Sequence, residues 1–206
     1  MAMSPLSPFE RAPGDPVPMR DRAVEHLRVI RDAMERAGTF TAVPGWGTVG
    51  IGVTALVAAA AAAGISTGPS WLRVWLVEGF AAGLLAIATI ALKARRLGIA
   101  LDSGPVRKFL LAFFPSLAAG AVLTVLLAQK GLGSLLPGLW LLLYGAAVVA
   151  AGALSVRVVP LMGLSFMVLG VFALFVAPAY PNGFMAAGFG GLHVGFGIYI
   201  GRRHGG

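Results

Sequence analysis

The sequence has no cysteine and few charged residues. Its 206 residues include three His, and charged residues make up 12% of the chain, where a soluble domain needs roughly a quarter. Without cysteine it forms no disulfide or iron–sulfur cluster. The spacing of His26, His193 and His204 fits no zinc motif. With 58% hydrophobic residues, the composition indicates an integral membrane protein.

The sequence also lacks enzyme motifs. The polar segments contain no Ser–His–acid order, paired carboxylates or phosphate-binding loop. Residues 45–50, GWGTVG, match the dinucleotide pattern GxGxxG. That pattern is meaningful only after a strand in a βαβ unit, so these glycines favour close helix packing instead. We therefore expect no catalytic activity.

Six apolar runs follow one another between residues 43 and 203. Each holds about 18–22 residues, which as a helix extend roughly 27–33 Å and match a hydrocarbon core near 30 Å. We expect an all-α integral membrane protein with six transmembrane helices, preceded by a short cytoplasmic amphipathic helix. The expected spans are 46–64, 71–92, 109–128, 135–156, 158–177 and 183–200.

One polar connection, residues 93–108, is rich in basic residues. It contains five Lys and Arg and a single acid, Asp102. Loops dense in Lys and Arg stay on the cytoplasmic side during insertion, so we expect this connection and both termini in the cytoplasm of a cell (inner) membrane protein. The other basic residues also stand near the ends of apolar runs, so the net charge of +8 predicts no nucleic-acid partner.

The segment before the first apolar run divides in two. Residues 1–19 contain five prolines, which interrupt helix and sheet, and we expect a disordered tail. Residues 20–38 have apolar side chains at three- and four-residue steps and predict an amphipathic helix, which lies on the membrane or docks a soluble partner. The expected cytoplasmic contact surface combines this helix with the basic connection, through Leu27, Ile30, Met34, Arg95, Arg96, Arg107 and Lys108.

The runs also repeat in pairs. Alternate runs begin near a proline, at Pro44, Pro115 and Pro160, which predicts three tandem helical hairpins. The last hairpins contain GVFALFVAP at 170–178, GFGG at 188–191 and GFG at 195–197. Over about residues 141–201 this pattern resembles the small acid-resistance hairpin-repeat membrane proteins, a six-helix family. The resemblance implies an architecture and brings no catalytic motif.

Glu78 is the only acid inside an apolar run. An ionised carboxylate in hydrocarbon costs at least a few kcal/mol, so such a residue faces a cavity or a partner, or becomes protonated. Arg73, five residues earlier, is a candidate partner, and Tyr144 occupies the equivalent place in the next hairpin. The sequence predicts an intramembrane polar site of Glu78, Arg73, His193 and Tyr144, serving either an ion, proton or substrate or a structural pair.

His193 stands near mid-membrane between Gly190 and Gly197 on one helix face. Such a flat strip lets another helix approach closely, with His193 as a hydrogen-bonded packing residue. It also suits a proton or substrate site shared with Glu78, bridged by water. A third reading is a haem or pigment ligated by His193, with Met167 as second axial ligand. Otherwise we expect no cofactor and no metal.

Three functions follow from these features. The first is a non-catalytic accessory, sensor or scaffold subunit of the lipid bilayer that contacts a protein partner or forms a homo-oligomer. The second is a small transporter or proton-linked channel that uses Glu78 and His193. The third is a haem- or pigment-binding membrane subunit.

Overall fold

The computed structural model describes residues 24, 26–30, 43–98, 103–176 and 180–203. The chain divides into two compact units, residues 1–38 and 39–206. In the first unit, residues 24 and 26–30 are helical and exposed, and they lie within the segment 20–38 for which an amphipathic helix is predicted. The predicted tail 1–19 and Met34 lie outside the described residues.

The second unit is helical, and its described residues include no strand. A short 3₁₀ turn, Gly133–Leu135, precedes the fourth helix, and the sixth contains a π-helical stretch, Ala186–Leu192. The six helices are α1 Gly45–Ala61, α2 Pro69–Arg96, α3 Gly104–Gln129, α4 Leu136–Gly152, α5 Val158–Val176 and α6 Pro181–Arg203.

Five helical segments are long and apolar enough to cross a membrane: α2, α3, α5, α6, and α4 together with the 3₁₀ turn before it, Gly133–Gly152. The α1 helix is apolar but only 17 residues long. The predictions of an all-helical fold and of a membrane-embedded chain are thus confirmed at this level. The predicted connection 93–108 is shorter than expected, because Lys93, Arg95 and Arg96 form the last turn of α2 and α3 already begins at Gly104.

Glycines at seven-residue intervals bring α4 and α5 into close contact. A Cβ atom added to Gly145 would lie 2.6 Å from the carbonyl oxygen of Gly163, and one added to Gly170 would lie 2.7 Å from the backbone nitrogen of Leu142. These distances leave no room for a side chain. The two backbones therefore pack directly on each other, as small residues allow in membrane helices.

The same device joins the first helix to the last. A Cβ atom on Gly52 would lie 2.8 Å from the carbonyl oxygen of Gly190, and one on Gly197 would lie 2.7 Å from the backbone nitrogen of Val49. The closest helix pairs are thus α4 with α5 and α1 with α6. The predicted repeat of three tandem hairpins is not confirmed by this packing.

The α2 and α3 helices lie at the periphery. The α2 helix packs mainly on α1, and α3 mainly on α4. Only 6% of the apolar window of α2 and 11% of that of α3 are buried, against 50% for the segment Gly133–Gly152. Most of their apolar surface therefore faces outward, toward lipid in a membrane.

The two ends of the bundle differ in chemistry. At one end, Trp71 stacks on Trp140 with ring centroids 5.6 Å apart. At the other end, the buried Lys93 side chain donates a hydrogen bond from Nζ to the carbonyl oxygen of Val43, 2.9 Å away. Val43 also packs beside Ile200, near the arginines that end α6. We refer to these as the tryptophan end and the basic end.

Candidate functional site

His193 and Tyr144 form a hydrogen-bonded pair inside the bundle. The His193 side chain is only 2% exposed. Its Nε2 lies 2.7 Å from the Tyr144 hydroxyl and its Nδ1 lies 3.0 Å from the carbonyl oxygen of Phe189. A carbonyl oxygen can only accept, so Nδ1 carries a proton and donates to Phe189. In the neutral imidazole, Nε2 then accepts the hydrogen bond that the Tyr144 hydroxyl donates, and both nitrogens are engaged.

Aromatic rings enclose this pair. The ring centroid of His193 lies 5.3 Å from that of Tyr144, 5.1 Å from that of Phe166 and 6.1 Å from that of Phe189. We call these four residues the His193 cluster. Phe113 of α3 adds an edge contact to Tyr144, at 6.0 Å. Side chains of four helices thus surround the Tyr144–His193 pair, and aromatic rings cover the imidazole.

The backbone geometry before His193 is unusual. The π-helical stretch Ala186–Leu192 ends directly at His193, and Phe189, which accepts the Nδ1 hydrogen bond, lies within it. Its sequence, AAGFGGL, contains three glycines, which have little intrinsic preference for the α-helix. Single π-turns in α-helices are often found at functional positions. Here the stretch orients the His193 side chain toward Tyr144 of α4 and Phe166 of α5.

The glycine strip beside His193 is filled by protein. Gly190 lies against Leu56 and Gly197 against Val49, both on α1. Met167 lies against Gly145 of α4, whereas the aromatic neighbours of His193 are the other members of its cluster. The strip therefore serves helix packing. Within the described part of the chain, no group of three or more His, Cys, Asp or Glu could hold a metal ion.

Glu78 lies at a different interface. The Thr54 hydroxyl of α1 donates a hydrogen bond to Glu78 Oε1, 2.9 Å away, and the carboxylate is half-buried. Arg73 is exposed and its Nη2 donates to the Ser70 hydroxyl at 3.2 Å. Five helical residues turn the chain by about 1.4 turns, so Arg73 and Glu78 project from different faces of α2. Of the predicted polar site, the structure joins Tyr144 to His193 and places Glu78 with Thr54.

Asn182 joins three helices at the tryptophan end. The indole nitrogens of Trp71 and Trp75 both donate to Asn182 Oδ1, and Asn182 Nδ2 donates to the carbonyl oxygen of Ala62. The amide thereby ties the start of α6 to the start of α2 and the end of α1. We call this the Asn182 latch. Sequence reasoning missed it, although an asparagine beside an apolar run is itself a signal, because a buried amide needs partners.

The basic residues at the basic end divide into two kinds. Lys93 is buried and holds Val43. Four of the others lie exposed on the two peripheral helices, two in the last turn of α2 and two in the first turns of α3. This exposed basic set is Arg95, Arg96, Arg107 and Lys108.

Comparisons of the chain with protein-family models, with curated proteins and with solved structures found no match. The resemblance to the acid-resistance hairpin-repeat family therefore stays a prediction.

Proposed function

We propose that this chain is a non-catalytic multi-pass membrane protein that acts as an accessory, sensor or scaffold subunit. In this proposal all six apolar helices cross the membrane. The basic end faces the cytoplasm together with both termini, in accordance with the distribution of Lys and Arg. The exposed basic set forms the proposed contact surface, and the amphipathic helix of the first unit offers a separate contact.

One contrast carries this proposal. The polar side chains within the bundle are engaged in fixed contacts: Tyr144 with His193, Thr54 with Glu78, and Trp140 with Thr124 at 2.7 Å. The exposed basic set instead presents four charged side chains to solvent at the ends of two peripheral helices. Such a surface is suited to an acidic surface on a partner, where charge complementarity guides association.

The amphipathic helix offers a second, apolar contact. Val24 is 60% exposed, Leu27 66% and Ile30 54%. Spaced at three-residue steps, they lie along one face of the helix, which fits an apolar groove on a soluble protein or the membrane surface. In either position the helix supports a role at the cytoplasmic face.

The contacts favour this proposal over the two alternatives. A proton-linked channel would need Glu78 and His193 to communicate, yet one bonds to α1 and the other to α4. A haem or pigment ligand would need Nε2 of His193, which already accepts a hydrogen bond from Tyr144. It would also need the glycine strip that α1 occupies.

The proposal is tested by native mass spectrometry of the full chain purified gently from its own membrane. We expect a second polypeptide at fixed stoichiometry, and we expect the double variant Arg95→Gln/Arg96→Gln to lower its occupancy about tenfold, because two charge contacts are lost. The matched control is Arg202→Gln/Arg203→Gln, which removes an exposed arginine pair from the end of another helix at the same end of the bundle. This control should retain the partner.

Two results would contradict the proposal. One is a bare monomer or homo-oligomer in the wild-type spectrum. The other is an equal loss of the partner in both double variants, which would show that overall charge, rather than the exposed basic set, holds it.

A further inference from the structure

A groove runs along the outer surface between α5 and α6, with a volume of about 590 Å³. Its walls are apolar and come from the first turns of α5 and the second half of α6. The residues that matter here are Arg157, Leu161, Gly191, Gly195, Phe196 and Tyr199. None of them belongs to the His193 cluster, the Asn182 latch or the exposed basic set.

The glycines in the groove differ from the glycines of α6 that pack against α1. A Cβ atom on Gly195 would meet no atom within 4 Å, and one on Gly191 would meet only the Ala186 carbonyl oxygen, at 3.8 Å. Gly190 and Gly197, by contrast, are covered by α1. Gly191 and Gly195 therefore leave a depression in the outer surface of the bundle, and neither position is needed for packing against another helix.

The groove is charged at one end only. Arg157 lies there, exposed, just before α5 begins. Tyr199 also lines this end, and the guanidinium carbon of Arg203 sits 5.3 Å from the centroid of its ring. The cation–π contact holds a second positive charge at the rim of the groove. Tyrosine and arginine at this depth are typical of the headgroup level of a membrane.

The length of the groove limits what can occupy it. Gly191 and Tyr199 are eight residues apart, which corresponds to about 12 Å along a helix. A bilayer core is about 30 Å thick, so the groove lies within one leaflet. The apolar walls and the positive charge at one end match the acyl chain and the headgroup of a lipid from that leaflet.

We propose that this groove binds one anionic glycerophospholipid from the leaflet at the basic end. The phosphate group lies against Arg157 and Arg203, and an acyl chain lies over Gly191 and Gly195 beside Leu161 and Phe196. Basic pockets between membrane helices bind anionic headgroups for the same electrostatic reason. The inference is independent of the proposed function.

The test uses the full-length protein in detergent, mixed with either phosphatidylglycerol or phosphatidylcholine and then analysed by native mass spectrometry. We expect one retained phosphatidylglycerol per chain and little phosphatidylcholine. Arg157→Gln should lower the retained phosphatidylglycerol about fivefold by removing one charge at the headgroup. Gly195→Leu should lower it by a similar factor, because the new side chain fills the groove without meeting protein.

Each variant has a matched control. Arg95→Gln removes an exposed charge from the same end of the bundle, and Gly83→Leu adds the same side chain to an open position on α2, where a Cβ atom meets nothing within 4 Å. Both controls should retain the lipid as the wild type does. Equal retention in Arg157→Gln and Gly195→Leu, or equal binding of phosphatidylcholine, would overturn the proposal, as would a polypeptide that displaces phosphatidylglycerol from the groove.

Discussion

The substitution Gly145→Leu is expected to disrupt the bundle and to lower the free energy of unfolding by about 3 kcal/mol or more. Gly145 faces α5 at the point where the two backbones touch. An added Cβ atom would lie 2.6 Å from the Gly163 carbonyl oxygen and 2.8 Å from the Met167 backbone nitrogen. Backbone atoms cannot rotate away as a side chain can. The helices must therefore separate and give up the contacts along their whole interface.

The matched control for this prediction is Gly79→Leu. Gly79 is also a helical glycine in an apolar segment, but a Cβ atom there would meet nothing within 4 Å. Thermal and denaturant-induced unfolding in detergent, with size-exclusion chromatography, should show a wild-type profile for Gly79→Leu and aggregation or early unfolding for Gly145→Leu. Equal stability of the two variants would mean that α4 and α5 do not pack through their glycines.

The substitution Asn182→Ala should lower the free energy of unfolding by about 2–3 kcal/mol. It removes the three hydrogen bonds of the Asn182 latch at once. Each bond contributes about 0.5–1.5 kcal/mol, and the donors left behind are costly because Trp71 is fully buried and Trp75 is 4% exposed. Unfolding should be followed by tryptophan fluorescence, since two indoles lose their acceptor.

One interhelical hydrogen bond in the same region provides the scale. Thr124→Val removes the acceptor of the Trp140 indole, together with the hydroxyl's own bond to the Gly120 carbonyl oxygen within α3, and keeps the shape of the side chain. Its expected cost is about 1 kcal/mol. If Asn182→Ala costs no more than Thr124→Val, then the latch does not hold the three helices together, and the tryptophan end is stabilised by ring packing alone.

The positions of the helices were predictable from the sequence, because the bilayer sets the length of an apolar run. The predicted spans and the observed helices overlap in all six cases. The observed helix ends differ from the predicted ones where basic residues extend a helix. The α2 helix continues to Arg96 because Lys and Arg are favourable at a helix C-terminus, where their charge complements the helix dipole.

The pairing of the helices was not predictable in the same way. The seven-residue spacing of Gly138, Gly145 and Gly152 is visible in the sequence and indicates a packing face. It does not say which helix the face meets, since every other helix also has small residues. The contact between α1 and α6 joins the first and the last helix of the domain, and no sequence pattern within either helix predicts it.

The candidate site shows the same limit. Tyr144, His193 and Glu78 were identifiable because polar side chains in apolar runs require partners. The prediction that these residues form one site depended on an assumed hairpin repeat. In the structure, the π-helical stretch of α6 turns His193 toward Tyr144. Glu78 instead meets Thr54, whose hydroxyl also lies 2.9 Å from the Ile51 carbonyl oxygen in its own helix.

The proposed contact surface requires that the basic end faces the cytoplasm. Because the chain has no cysteine, single cysteines can be placed at the exposed positions of the two ends, as Arg96→Cys and Lys130→Cys. The measurement is labelling with a membrane-impermeant maleimide in intact and permeabilised cells. We expect Lys130→Cys to be labelled in intact cells and Arg96→Cys only after permeabilisation. Labelling of Arg96→Cys in intact cells would place the exposed basic set outside the cytoplasm and contradict the proposed function.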